Sequence, residues 1–104
     1  MTTIARLPEP PYFAVIAPAE LEAEVRGYPA MAARTLEHAS TIDGFHGIEM
    51  CGQPGFSLAV SYWASLDAID TWRHHPRHQQ AKAMGQSTWF RGYATRIAQV
   101  IDAY

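Results

Sequence analysis

The chain has 104 residues, 48% of them hydrophobic and 17% charged, and its formal net charge is −2 at pH 7. This composition excludes a disordered chain, and the length predicts a single domain over residues 1–104. The small negative charge and the lack of a Lys/Arg cluster argue against nucleic acid or an anionic membrane surface as a partner.

Cysteine usage and the N-terminus indicate the compartment. The N-terminus lacks the apolar core of a signal peptide, and no segment approaches the roughly 18 consecutive apolar residues of a membrane span. Cys51 is the only cysteine, so no disulfide forms within the chain. We therefore expect a cytoplasmic protein that does not enter a membrane.

The first part of the chain predicts a strand and then a helix. After a proline-rich leader, residues 12–17 have the aromatic and β-branched content of a strand, which we expect Pro18 to end. A loop or short turn should follow over residues 19–26. Proline suits the first turn of a helix, so we place the first helix from about Pro29 to about Ser40.

A β-hairpin is predicted next. Asp43 and Gly44 form a turn signal, and strand two follows over residues 45–51. The stretch "GQPG" is a second turn, after which strand three occupies residues 56–63.

The second helix should be broken. Ser65 is a good N-cap, but Pro76 cannot lie comfortably inside a helix, so we expect a break near His75. A second helical segment should cover residues 77–84 and stop at Gly85.

The last segment alternates in side-chain type from Tyr93 to Asp102, which predicts one long strand four. The order is then βαββαβ, an α+β, ferredoxin-like arrangement with a four-stranded antiparallel sheet and both helices on one face. Strands three and four carry apolar side chains on both faces, and no spare element remains to cover the second face. We therefore predict a homodimer whose two sheets face each other.

Aromatic residues and histidines concentrate in the stretch "YWASLDAIDTWRHHPRH". Trp63 ends strand three and Trp72 lies on helix two, where both can form the walls of a pocket for a flat aromatic ligand. Packing in the core is the alternative for both side chains. Tyr28 is a candidate for the pocket mouth.

The histidines after Trp72 have two interpretations. The spacings of His74, His75 and His78 place pairs of imidazoles near each other, as in metal sites, but no acidic or cysteine ligand lies nearby in sequence. We expect no metal. As a general base, a histidine has a suitable pKa near neutrality, so His78 and His75 are the candidate catalytic residues.

Strand two contributes further polar candidates. An odd separation puts His46 and Glu49 on opposite faces of a regular strand, His46 with Ile48 and Met50. Either side chain can orient a substrate, and a solvated or interface position is the alternative for both. Tyr62 is a candidate of the same kind. The stretch "GQPG" opens no helix, so no nucleotide-binding fingerprint is present and we expect no cofactor.

The stretch "DGFHGIE", followed by "VSYWASLDAIDTWRHHPRH" and the terminal "DAY", resembles the antibiotic biosynthesis monooxygenase family. In its small bacterial branch, strand three ends in Ser-Tyr-Trp and helix two carries a Trp followed by His-x-x-His, to which His75 and His78 correspond. The resemblance implies a dimeric α/β barrel with a pocket between sheet and helices in each subunit.

The resemblance implies an activity but leaves alternatives open. Cofactor-independent oxygenases of the family act with O2 on a small aromatic phenol or quinol, which reacts as its own anion. A non-catalytic small-molecule-binding or stress-response module is the alternative. Haem-degrading members of the family share a triad of asparagine, the helix-two tryptophan and a histidine ten residues later. Here Trp72 fits, but Lys82 occupies the histidine position and the chain contains no asparagine.

Overall fold

The computed structural model describes residues 4–104 and consists of one antiparallel sheet with helices on one face. Strand β1 lies at the centre, β3 and then β2 follow on one side, and β4 and β5 pair in succession with the other edge of β1. The elements in chain order are β1 (Tyr12–Leu21), α1 (Tyr28–Ala39), β2 (Phe45–Gln53), β3 (Phe56–Trp63), α2 (Leu66–Arg73), α3 (Pro76–Met84), a π-helical turn (Gly85–Trp89), β4 (Phe90–Tyr93) and β5 (Arg96–Val100).

This architecture confirms the α+β, ferredoxin-like prediction. The sheet has five strands rather than four because the expected long strand four is interrupted at Ala94 and Thr95. The first helix begins one residue earlier than predicted and the hairpin strands lie where the sequence places them, with β2 two residues longer. No helix within residues 4–104 is long and apolar enough to cross a membrane.

The prediction that Pro18 ends the first strand is wrong. Strand β1 continues to Leu21, and Pro18 pairs in register with Leu58 of β3. On its other side the carbonyl of Pro18 accepts a hydrogen bond from the Ala94 amide at 3.1 Å. The nitrogen and the carbonyl of one strand residue face the same side, so the missing N–H of Pro18 falls where the neighbouring strand is interrupted.

The break in the second helix is confirmed. Ser65 caps α2 by accepting a hydrogen bond from the Ala68 amide at 3.1 Å, and α3 begins at Pro76. The helical conformation does not stop at Gly85, because a π-helical turn follows α3 and continues to Trp89. A Cβ atom at Gly85 would lie 2.6 Å from the Phe90 ring. The glycine is therefore required for the close approach of that ring rather than for termination.

The prediction that His46 shares the face of Ile48 is wrong, because β2 contains a bulge. Phe45 pairs with Trp63 but Gly47 pairs with Tyr62, so His46 is an extra residue in the ladder. The His46 ring contacts the Tyr12 ring at 6.4 Å between centroids. His46 therefore lies on the face of the sheet that faces away from the helices.

The core lies between the sheet and the helices. Its buried residues come from β1, α1, β3 and α2, and Trp63 is the centre, with none of its surface exposed. The buried members are Val15, Ala39, Trp63, Ala68 and Ile69. This cluster fills only one end of the space between the layers, which leaves room for a cavity at the other end.

Candidate active site

A cavity of about 440 Å³ lies between the sheet and the helices, a size typical of small-molecule sites. Small and apolar side chains of the sheet form its floor, and side chains of all three helices form its roof. The floor includes Val15, Ala17, Ala19, Ile48 and Ala59, and the roof includes Met31, Leu36, Ile69, Trp72, His78 and Lys82. The short alanine side chains of β1 and β3 are what leave the space open.

The rings of Trp72 and His78 are in contact in the cavity wall. Their ring centroids lie 4.1 Å apart, with the ring planes inclined at 45°. Pro76 makes this contact possible, because it lies between the two residues in sequence and starts α3 as a separate helix after α2 has ended. Trp72 Nε1 and His78 Nδ1 are buried and have no hydrogen-bond partner among residues 4–104.

The environment of His78 keeps its imidazole neutral. Burial, together with smaller contributions from the positive charges of Lys82, His38 and Arg73, lowers the pKa of His78 to about 4. Lys82 follows His78 by four residues on α3, so both side chains lie on the same face of that helix. A neutral imidazole at physiological pH can accept a proton or a hydrogen bond from a ligand.

Trp63 is a core residue rather than a pocket wall. Its Nε1 donates a hydrogen bond to Ser61 Oγ at 2.9 Å, and its ring contacts Phe45 and Trp72 at 5.1 and 5.0 Å between centroids. It lies behind Trp72 and does not line the cavity. Its contribution to a site is therefore to hold Trp72 in place.

Tyr28 lines the cavity at the start of α1. Its hydroxyl and Ser57 Oγ lie within hydrogen-bond distance at 3.2 Å, which joins the helix to β3. The ring contacts Trp89 and Phe90 edge-on, at 5.5 and 5.9 Å between centroids. This aromatic group closes one end of the cavity.

His75 has a structural use. As the N-cap of α3, its Nδ1 accepts a hydrogen bond from the Arg77 amide at 3.1 Å. Its ring does not line the cavity but contacts His38 at 4.1 Å between centroids. His74 is exposed and contacts the Asp70 carbonyl. Of the predicted catalytic residues, only His78 lies at the cavity.

Glu49, Tyr62 and His46 lie together on the opposite face of the sheet. The Tyr62 hydroxyl donates a hydrogen bond to Glu49 Oε1 at 2.5 Å, and Glu49 Oε2 accepts from the Ala5 amide at 3.0 Å. Burial and the neighbouring carboxylate raise the pKa of Tyr62 to about 12. The structure thus separates these three residues from Trp72 and His78, and uses Glu49 to tie the N-terminal segment to β2.

Sequence reasoning does not identify several residues of the cavity. It considers Lys82 only as a poor haem ligand, and it does not place Arg73 or Trp89 at the pocket, which both residues line. The i, i+4 spacing of His78 and Lys82 is the available signal. His38 is also missed; it lines a second recess of about 540 Å³ between α1 and α3, which His78 lines from the other side.

The fold and the cavity define an α+β domain with an internal cavity, and comparison with known proteins gives its family. The family model for antibiotic biosynthesis monooxygenase matches residues 15–84. The chain is also 43% identical over 101 residues to the uncharacterized protein YqjZ of Bacillus subtilis (strain 168), covering 96% of this chain and 89% of that protein. The chain therefore belongs to the antibiotic biosynthesis monooxygenase family.

Solved structures share the fold at low sequence identity. Rv0793 from Mycobacterium tuberculosis superposes with a TM-score of 0.78 at 19% identity, covering 88% of this chain and 97% of that one. A variant of SnoaB, a cofactor-independent oxygenase from Streptomyces nogalater, has a TM-score of 0.78 at 10% identity. The match covers 88% of this chain and 95% of that one. At these identities the comparisons show the fold alone.

Proposed function

We propose that the protein is a cofactor-independent monooxygenase that oxidises a small aromatic phenol or quinol with O2 in the cavity between sheet and helices. The observation that carries the proposal is the position of His78. Its imidazole lines a largely apolar cavity, contacts the Trp72 ring and is kept neutral, as a proton acceptor must be. Family membership supports the same activity, and the structural neighbour SnoaB is a cofactor-independent oxygenase.

The proposed reaction requires few functional groups from the protein. His78 takes the hydroxyl proton of the phenol, and the resulting anion supplies the electrons that reduce O2. A C–O bond forms at a ring carbon, and the O–O bond then breaks as that carbon loses its hydrogen. One oxygen atom stays on the ring as the new carbonyl of a quinone. The other oxygen leaves as water, with one hydrogen from the ring carbon and one proton returned by His78.

The low pKa keeps His78 neutral in the empty cavity but makes it a weak base, so the bound substrate has to raise this pKa. The neutral ring carries one proton, and we assign it to the enclosed Nδ1, which leaves the Nε2 lone pair as the acceptor. The phenolate that forms is negatively charged, so it raises the pKa of the adjacent imidazole and stabilises the imidazolium. The apolar walls strengthen this attraction because they exclude water from between the two charges.

The cavity does not reproduce the triad of the haem-degrading members. Trp72 and Lys82 both line the cavity, but Lys82 occupies the position of the histidine ligand. The chain also has no asparagine to complete the triad of the haem-degrading members. The proposed reaction does not use haem; His78 is the imidazole at the cavity that could replace the missing histidine ligand, and a haem titration tests this.

Oxygen uptake with a panel of quinols, alongside a haem absorbance titration, tests the proposal. We expect uptake in the wild type without added cofactor and at least a roughly tenfold lower rate in His78→Ala, because general-base catalysis contributes about 10²-fold or more. His74→Ala is the matched control, since His74 lies outside the cavity. Ligand binding without any uptake would instead favour a non-catalytic binding module.

We also propose that the protein is a homodimer. Paired residues of β1 and β3 place Ile16, Val60 and Leu58 on the face of the sheet away from the helices. Phe56 lies on the same face and is 39% exposed. Burial of this apolar face against a second sheet would stabilise both copies.

A further inference from the structure

The charged residues around the cavity all have the same sign. Among the residues that line it, Arg73 and Lys82 are the charged ones, and no aspartate or glutamate of residues 4–104 joins them. The chain as a whole has more acidic than basic residues, ten against eight. The cavity therefore has a positive character that the composition of the chain does not predict.

Lys82 has no competing partner in the part of the chain that the structure describes. Neither an ion pair nor a hydrogen bond joins its ammonium to residues 4–104, whereas Arg73 lies 3.8 Å from the Asp70 carboxylate in an exposed pair. Lys82 is also the charge that acts most strongly on His78, one helical turn away. Its ammonium is thus close to the proposed base and free to bind a ligand.

Several neutral hydroxyl groups of the cavity already have hydrogen-bond partners. Tyr28 and Ser57 bind each other, the Thr35 hydroxyl donates to the Met31 carbonyl at 2.9 Å, and Ser61 accepts from Trp63. The two cations keep donors that these hydroxyl groups do not use. A ligand that satisfies them must present an acceptor, and a negatively charged oxygen is the strongest one.

We propose that the cavity selects an aromatic ligand that it binds as an anion, with the charged oxygen held at the exposed rim by Lys82 and Arg73. This inference deepens the proposed function and rests on it only for the location of the ligand. The charged oxygen has two sources, a carboxylate attached to the ring or the ring oxygen itself, ionised on binding. In both cases the ring lies against Trp72 and the charge lies toward α3.

Calorimetric titration under anaerobic conditions tests the proposal without requiring turnover. The probes are 2-naphthoate, its neutral isostere 2-naphthamide, and 2-naphthol, whose ionisation is followed by absorbance. We expect naphthoate, or naphthol in its ionised form, to bind at least about fivefold more tightly than the amide. Naphthoate preference assigns the charge to a carboxylate, and ionisation of bound naphthol assigns it to the ring oxygen.

Substitution of Lys82 is the second part of the test of anion binding. Lys82→Gln should weaken binding of the anionic probe about five- to tenfold and leave the amide within about twofold, while Lys82→Arg keeps the charge and most of the affinity. Arg77→Gln removes the same charge from α3 outside the cavity and should change neither probe. Circular dichroism of each variant checks folding.

Equal affinity for naphthoate and naphthamide with no ionisation of bound naphthol would overturn the proposal. Equal effects of Lys82→Gln and Arg77→Gln would overturn it as well, because the contribution would then be general rather than local. A protein that binds the anion selectively but consumes no oxygen with any quinol refutes the proposed function and leaves this inference standing.

Discussion

At the scale of the residue, the pKa of His78 makes a prediction about stability. Folding lowers this pKa from its ordinary 6.5 to about 4, so between these values the unfolded state binds a proton that the folded state excludes. The contribution of His78 is fully present above pH 6.5 and is lost as the pH falls toward 4. Because folding also lowers the pKa of His38, through burial and the nearby His75 and Arg77, the two side chains act in the same direction.

Urea unfolding at about pH 4.5, 5.5 and 7 measures this effect. As the pH falls over this range, the wild type should lose stability more steeply than His78→Gln. The variant has no imidazole at this position whose protonation favours the unfolded state. His74→Gln is the control and should follow the wild type. Identical slopes in His78→Gln and wild type would contradict a lowered pKa at this position.

Trp63 and Trp72 differ in the hydrogen bonding of their buried N–H groups. Trp63 Nε1 is bonded to Ser61, whereas Trp72 Nε1 has no partner in residues 4–104. Trp63→Phe therefore loses a hydrogen bond and leaves a void in the core, and should cost about 2–4 kcal/mol. Trp72→Phe removes an unsatisfied donor together with part of a half-buried ring, and should cost about 1 kcal/mol or less.

Denaturant midpoints of the two phenylalanine variants test this difference. We expect Trp63→Phe to be the less stable of the pair by roughly 2 kcal/mol. Losses of the same size would mean that Trp72 Nε1 has a partner in solution or that Trp63 packs less tightly than the structure indicates.

At the scale of the element, local rules predict most of the fold. The cap at Ser65, the break at Pro76 and the bounds of β3 depend on nearby residues, and the sequence predicts all three. The prediction at Pro18 failed because tolerance of this proline depends on Ala94, which comes far later in the chain and lies opposite it in the sheet. The prediction of the sheet face on which His46 lies failed for a similar reason, because the bulge in β2 is set by pairing with β3.

In the candidate site, too, local signals are predictive and features that depend on distant packing are not. Local signals, an aromatic ring and a histidine across a proline, predict Trp72 and His78, which the structure brings into contact. The sequence could not distinguish Trp63, a core residue, from Trp72, or His75, a helix cap, from His78. Burial and capping depend on where α3 packs against the rest of the chain. Lys82 acquires its position from the same packing.

At the scale of the whole molecule, the apolar residues on the face of the sheet away from the helices predict self-association. Val60 lies at the centre of that face, paired with Ile16 on one side and Glu49 on the other. Val60→Lys would place a charge in the proposed interface, where burial without a partner is costly. We expect light scattering to give a dimer for wild type and a monomer for the variant.

A matched control keeps the interface test specific. Ala83→Lys adds the same charge at an exposed position of α3 and should remain dimeric. A wild-type protein that is monomeric at all concentrations would contradict the proposed homodimer. Circular dichroism distinguishes a folded monomer from an unfolded chain in the Val60→Lys variant.

The most direct test of the proposed activity is the stoichiometry of oxygen consumption by protein freed of metal with a chelator, in wild type, His78→Gln and His74→Gln. We predict that one O2 is consumed per molecule of quinone formed from a phenol, at a rate at least roughly tenfold lower in His78→Gln and unchanged in His74→Gln. Turnover by His78→Gln at the wild-type rate would contradict the assignment of the base and with it the proposed site.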